Sequence, residues 1–246
     1  MENKMKTGTI VDHLGEFRKR LIKVAVINFA VAIFCFQYME TLIQYLLALN
    51  PGFQLIYITP SELFTVYILL AFVIALILCL PITIYEIWAF ISQALYKKEK
   101  PYVFLTLVFG LGLFLLGVYF CYQVALPMTL RFFTQFSLYE VTAAISIKSF
   151  VSFCLTLLVG FGLSFELPVV IFLLSGLGVI KPEYLKKAHG VLILIIFIIA
   201  AIVTPPDVIS QVILAVPMVI LLEISILISH FVDKKRKKKD NLKDNT

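Results

Sequence analysis

Long apolar runs alternate with short polar breaks along most of this chain. A helix needs about 20 residues to cross a hydrocarbon core about 30 Å thick. Six stretches reach or approach that length. The first covers residues 21–38 and ends where Gln37, Glu40 and Gln44 bring in polarity. Residues 39–62 contain no Lys or Arg and read as a loop, with Asn50-Pro51-Gly52 as a turn signal. Thr59-Pro60-Ser61-Glu62 then reads as a helix start, with Ser61 or Thr59 as capping candidates and Glu62 in a similar role. The second stretch, 63–91, is longer than a straight crossing needs, and Pro81 is expected to bend it. Near its end, Tyr85 and Trp88 suit an aromatic belt at a membrane interface.

The third stretch, 102–126, carries Gly110, Gly112 and Gly117, which permit close helix approach. Residues 127–148 read as a second loop. The fourth stretch, 149–180, overshoots the membrane and predicts tilt, or a break near Gly160, Gly162 and Pro168. The last two stretches, 191–204 and 208–230, are separated only by the outer turn Thr204-Pro205-Pro206-Asp207. The fifth is short of a full crossing, and the sixth is interrupted by Gln211, Pro217 and Glu223. Short spans can thin the bilayer locally, and spin-label depths at Thr204 and Asp207 would test that.

Composition agrees with a membrane chain. Of 246 residues, 61% are hydrophobic and 15% charged, against about 45–50% and about 25% in soluble domains. The net charge of +6 would suggest nucleic acid if the cations formed a patch on a soluble fold. Instead, 19 of the 21 Lys and Arg flank the apolar runs on one side or form the tail, and only Arg131 and Lys148 lie on the other. The positive-inside rule therefore puts both termini in the cytoplasm. The expected fold is an all-α polytopic membrane protein: six transmembrane helices, the last two short, in a concave bundle. Residues 1–20 form a cytoplasmic lead-in, 21–231 the membrane domain, and 232–246 a basic tail expected to be disordered.

Cys35, Cys79, Cys121 and Cys154 stand singly in apolar runs, without the spacing of a disulfide framework or zinc site. No cleavable signal peptide is read at the head. His13, His189 and His230 fall at inner boundaries and read as interfacial or capping residues. No catalytic residue, metal or cofactor is expected.

The carboxylates carry the candidate chemistry. A charge near mid-membrane costs about 2.5–3.5 kcal/mol on insertion scales, so an intramembrane Glu is a functional candidate. Glu166 lies between Phe165 and Leu167 and needs a hydrogen-bond partner, a wet recess or a proton. Glu16 sits among Arg18, Lys19, Arg20 and Lys23, where an i,i+4 pair with Arg20 is the simplest role. Glu99 reads as a solvated loop charge, Glu86 and Glu223 as wet residues near the inner interface, and Asp207 as a helix N-cap.

Five segments in order resemble the TatC family, the core of the twin-arginine protein translocation system. His13-Leu14-Gly15-Glu16-Phe17-Arg18-Lys19-Arg20-Leu21 is similar to its H-L-x-E-L-R-x-R-L head. Residues 81–90, with Pro81, Tyr85 and Trp88, resemble P-x-x-x-Y-x-x-W-x-F. Leu95-Tyr96-Lys97-Lys98-Glu99 resembles its first cytoplasmic loop. Gly162 to Pro168 resembles G-x-x-F-E-x-P, and Thr204-Pro205-Pro206-Asp207 with Ser210, Gln211 and Pro217 resembles the last hairpin. The chain departs from the family at Phe17, Lys100, Ser92-Gln93-Ala94 and Glu86, the last where Gln is common.

The resemblance implies a cell-membrane receptor, not an enzyme, that recognises signal peptides with two consecutive arginines. It implies assembly with TatA-type single-span subunits, and TatB-type ones where present, to export folded proteins on the proton-motive force, in an oligomeric complex. By motif, Glu16 and Glu99 would bind the signal peptide and Glu166 would be the embedded functional carboxylate. Gln211 and Glu223 would contact partner subunits, while Pro81, Pro205, Pro206 and Asp207 would shape the chain. The alternative is a proton-coupled transporter using Glu166, although no inverted repeat is visible. An intramembrane protease lacks its HExxH or GxSxG motif.

Overall fold

The structure is a computed structural model that describes residues 10–92, 100–135, 144–176, 180, 182–203 and 208–244. Glu99, Pro205, Pro206 and Asp207 lie outside the described residues, so the roles expected of them are not addressed by it.

The apolar runs form helices. Helix α1 covers Ile10–Phe36, α3 Ser61–Ile91 and α4 Lys100–Phe120, the last continued through a π-helical turn at Cys121–Ala125 into α5, Leu126–Thr134. The fourth run is split into α6, Ile147–Phe165, and α7, Leu167–Gly176. Helices α8, Pro182–Val203, and α9, Val208–Asp244, complete the chain. Among the described residues, five stretches are long and apolar enough to span a membrane, and α1 taken together with a bent partner makes a sixth.

That partner is a departure from expectation. Helix α2, Met39–Leu47, lies where a loop was expected and turns by 80° from α1. Met39, Ile43 and Leu46 recur at helical spacing and are buried, whereas Glu40 and Gln44 break only the apolar run, not the helix. The second expected loop is likewise helical as far as Thr134. Pro127 explains the π turn before it. Its ring would press on the carbonyl of Gln123 in a regular helix, and the widened turn avoids that clash.

Short strands pair at the face where α1 ends and α3 begins, here the far face. Strand β1, Gln54–Ile56, runs parallel to β2, Ala144–Ser146, with Gln54 opposite Ala144. The chain enters β1 through Gly52, at φ 117°, while Asn50 Oδ1 accepts from the backbone N–H groups of Gly52 and Phe53. Glu62 joins the two strand-bearing segments. Its Oε2 accepts from Ile58 N–H at 3.1 Å and from Ser146 Oγ at 3.2 Å. Neither Thr59 nor Ser61 caps α3 by its side chain.

Helix α6 is the hub, with Val151, Cys154, Leu157 and Phe161 fully buried and packing partners in α3, α4 and α9. Large apolar side chains such as Leu78, Phe109 and Ile202 stay exposed around the outside, as a lipid-facing surface requires. The break between α6 and α7 comes at Glu166, just before Pro168. Glu166 N–H falls back to the carbonyl of Leu163 at 3.1 Å, while Pro168 has no N–H to continue the ladder. By contrast, α3 runs unbroken through Pro81.

Two boundaries shift in the last third. Helix α8 starts at Pro182, so its 22 residues can cross the membrane, although its apolar part begins only after Gly190. Lysines and a histidine in its first turns read as loop residues but are compatible with helix. The helix α9 backbone continues to Asp244, through the tail expected to be disordered. Lys and Arg are good helix formers, and cations near a helix C-terminus complement its dipole.

Candidate functional site

At the near face, where α1 begins and α3 ends, four charged side chains form one cluster. Glu16, Arg20 and Lys23 are spaced to lie on one stripe of α1. Arg20 donates from Nε and Nη2 to Glu16 Oε1, at 3.0 and 2.6 Å, and from Nη1 to Glu86 Oε2 of α3 at 2.7 Å. Lys23 Nζ donates to the other oxygen of Glu86, Oε1, at 2.6 Å. These contacts tie α1 to α3, the two helices that also meet through Phe17 and Phe90, ring centroids 5.4 Å apart.

Glu86 was expected to be wet and is not. Its side chain is 5% exposed, and two cations supply the charge-assisted bonds that a buried carboxylate requires. Glu16 makes its i,i+4 pair as expected, yet keeps 31% exposure. The Glu86 contacts escaped sequence reasoning. The available signal was a carboxylate inside a long apolar helix, with more cations than carboxylates at the head of another.

Glu166 sits at the α6–α7 break, half-buried and against α4. A Cβ built on Gly110 would lie only 2.8 Å from Glu166 Oε2, so the carboxylate rests where α4 has no side chain. Among the described residues, its carboxylate makes no hydrogen bond. An apolar groove of about 380 Å³ is lined by Phe109 and Leu113 of α4 and Pro168 and Val169 of α7, among others, but not by Glu166 itself.

Gln211 and Glu223 are both engaged within the α8–α9 pair. Gln211 Nε2 donates to the carbonyl of Phe197 at 2.9 Å. Glu223 Oε1 lies 2.5 Å from His189 Nε2 on the exposed side of the hairpin. His189, expected as an interfacial or capping residue, lies inside α8 because that helix starts at Pro182, and from there it pairs with Glu223. Among the described residues, no group of His, Cys, Asp and Glu could hold a metal ion.

A bundle of long apolar helices, with large apolar side chains exposed around its outside, defines a polytopic α-helical membrane protein. The family described as Sec-independent protein translocase protein (TatC) matches residues 12–217. The Sec-independent protein translocase protein TatC of Helicobacter pylori J99 is 38% identical over 234 residues, 95% of this chain and 93% of its own length. That of Aquifex aeolicus is 36% identical over 236 residues, 93% and 97% of the two chains. A crystal structure of the twin-arginine translocase receptor TatC superposes with a TM-score of 0.81 at 34% identity, covering 89% of this chain and 99% of its own. The chain belongs to the TatC family of Sec-independent protein translocase subunits. These are translocase components and not enzymes, and the proton-coupled transporter reading is not favoured.

Proposed function

We propose that this protein is the signal-peptide receptor of a twin-arginine translocase in the cell membrane, with both termini cytoplasmic and Glu16 and Glu99 as the carboxylates that take the two arginines. The observation that carries the reading is Glu16 itself. It is part-exposed at the near face and already holds a guanidinium at 2.6 and 3.0 Å. A guanidinium offers a planar fork of donors that an ammonium lacks, which gives such a site its preference for arginine over lysine. Phe17, the neighbour of Glu16, touches Phe90 near the end of α3, and Glu99 lies nine residues along the chain from Phe90. That sequence distance lets both carboxylates serve one surface.

Glu166 would meet a partner or signal helix in the bundle, while Gln211 and Glu223 would serve contacts with TatA-type and TatB-type subunits. The hydrogen bonds of Gln211 and Glu223 within the hairpin support a shaping role for that surface. Export of folded cargo would draw on the proton-motive force.

The test is binding of a twin-arginine signal peptide and its twin-lysine version to the purified protein and to Glu16→Gln and Glu99→Gln. Loss of one charge-assisted hydrogen bond, about 1.5–3 kcal/mol, corresponds to roughly tenfold to hundredfold in affinity. A preference for arginine that shrinks in both variants supports the receptor reading. Equal binding of both peptides by all three proteins overturns it.

A further inference from the structure

The carboxylate proposed to take a peptide arginine already carries one from its own chain. Arg20 places two nitrogens on Glu16 Oε1 and a third on Glu86. These two arms differ in what they do for the fold. The Glu86 arm joins α1 to α3 and ends on a buried oxygen. The Glu16 arm links residues four apart on one helix and lies at a part-exposed edge, where such pairs contribute little to stability. The Glu16 arm is therefore the replaceable one.

We propose that Arg20 is a resident stand-in for the ligand's guanidinium and that Glu86 is the positioning residue that lets it be displaced. This rests on the reading of Glu16 as a signal-peptide acceptor. An incoming arginine takes Glu16 Oε1, and Arg20 turns fully onto Glu86. Room for that second bond exists in the chemistry of Glu86 Oε1. Its present donor, Lys23, is 60% exposed and can return to water. The formal charges of Glu16, Glu86, Arg20 and Lys23 cancel. Without Glu86, the arriving cation would meet Arg20 and Lys23 with Glu16 as the only carboxylate of the cluster to offset them. Discrimination follows from the competition. A lysine offers one ammonium against an incumbent bound through two nitrogens of a fork, and it displaces that incumbent poorly.

The experiment measures affinities of twin-arginine and twin-lysine signal peptides for the full-length purified protein and its Arg20→Gln, Arg20→Lys, Glu86→Gln and Arg20→Gln/Glu86→Gln variants. Thermal unfolding of each serves as the folding control. Removing the incumbent with Arg20→Gln is expected to tighten both peptides, the twin-lysine one more, so that the arginine-to-lysine ratio narrows by about tenfold. Glu86→Gln is expected to weaken twin-arginine binding by about tenfold, because Arg20 then has only Glu16 to hold. The double variant should weaken twin-arginine binding relative to Arg20→Gln by less than Glu86→Gln weakens it in the unsubstituted protein, since Glu86 acts mainly through Arg20. Arg20→Lys keeps the charge without the fork and should narrow the ratio partway, which keeps the proposal testable if Arg20→Gln fails to fold.

The proposal is overturned if Arg20→Gln and Glu86→Gln both weaken binding and their effects add, the behaviour of a plain structural tie. It is also overturned if the ratio is unchanged in Arg20→Gln and Arg20→Lys while Glu16→Gln abolishes it. Failure of the receptor reading looks different: Glu16→Gln then leaves both affinities as they are in the unsubstituted protein.

Discussion

Two helix pairs in this bundle are joined by opposite means. Helix α1 meets α3 through the Arg20–Glu86 and Lys23–Glu86 bonds at the near face, with aromatic contacts of Phe17 on Phe90 there and Phe36 on Phe64 and Tyr67 at the other end. Helix α4 meets α6 and the α6–α7 break through absence. A Cβ on Gly117 would stand 2.8 Å from the Phe161 carbonyl oxygen, one on Gly162 2.7 Å from the Phe114 ring, and one on Gly110 2.8 Å from Glu166 Oε2. In lipid, apolar surface gives no drive to associate, so helices rely on close packing and polar contacts. The α4–α6 contact is made by close approach at Gly117 and Gly162, where a backbone carbonyl and aromatic rings leave little room to shift. The α1–α3 contact uses long side chains whose bonds can be remade, which suits the end of the molecule where a peptide is proposed to bind.

The largest effect should come from filling the glycine seam. Gly117→Val would drive a branched side chain into a backbone carbonyl and into the Phe165 ring, neither of which can step aside cheaply. Overpacking typically costs about 1–3 kcal/mol, and this site should lie at or above the top of that range. Gly112 provides the control, because a Cβ there meets nothing within 4 Å. Thermal unfolding in detergent should show Gly112→Ala at or above the starting stability and Gly117→Val well below it. Similar curves for the two would remove the seam from the argument.

Next in size is the remakeable contact. Glu86→Ala takes away the acceptor of two cations at the α1–α3 interface. Losing one partner of a buried pair costs about 3–5 kcal/mol. Here Arg20 keeps Glu16 and Lys23 is largely exposed, so a loss of about 1.5–3 kcal/mol is expected. Hydrogen exchange should report the loss in α1 and α3 while α4 and α6 stay protected. A uniform loss of protection would mean that the two pairs are not independent.

This contrast was unevenly legible in the sequence. Spans are the easiest feature to read, since a helix that crosses lipid needs about 20 mostly apolar residues in a row, and the spans at 63–91 and 102–126 both fall on helices of the structure. Helix α2 was missed because Glu40 and Gln44 interrupt the apolar run while leaving the Met39, Ile43, Leu46 stripe intact. Glycines were recognised as sites of close approach, but one sequence does not say which glycine faces what. Gly112 and Gly117 look alike on paper, and only Gly117 is occluded. Glu16 could be read with Arg20 because both lie on one helix. Glu86 could not, since its partners are more than 60 residues away.

A smaller effect should come from Ser175 and Ser229, buried hydroxyls 2.8 Å apart that join α7 to α9. Interhelical hydrogen bonds inside a membrane average about 0.6 kcal/mol. Ser175→Ala and Ser229→Ala should each cost about that much in thermal unfolding, and the double variant no more than the two single losses together. Losses above about 2 kcal/mol would show that this pair, and not the glycine seam, anchors the second half of the bundle.

The smallest stability effect is expected at Gly110, and it sharpens the comparison most. The added methyl of Gly110→Ala meets only the far end of the Glu166 side chain, with Oε2 at 2.8 Å and Oε1 at 3.3 Å. A flexible carboxylate can swing aside where the Phe161 carbonyl cannot. The helix also gains the roughly 0.5–1 kcal/mol by which alanine exceeds glycine in a helix interior. The two contributions should nearly cancel, so thermal unfolding should move little, unlike Gly117→Val seven residues on. The carboxylate nevertheless has to leave its notch. If Glu166 works from that position, cargo export should fall in Gly110→Ala although the protein folds as before. If export is unchanged while Glu166→Gln abolishes it, then the carboxyl group matters and its seat against Gly110 does not.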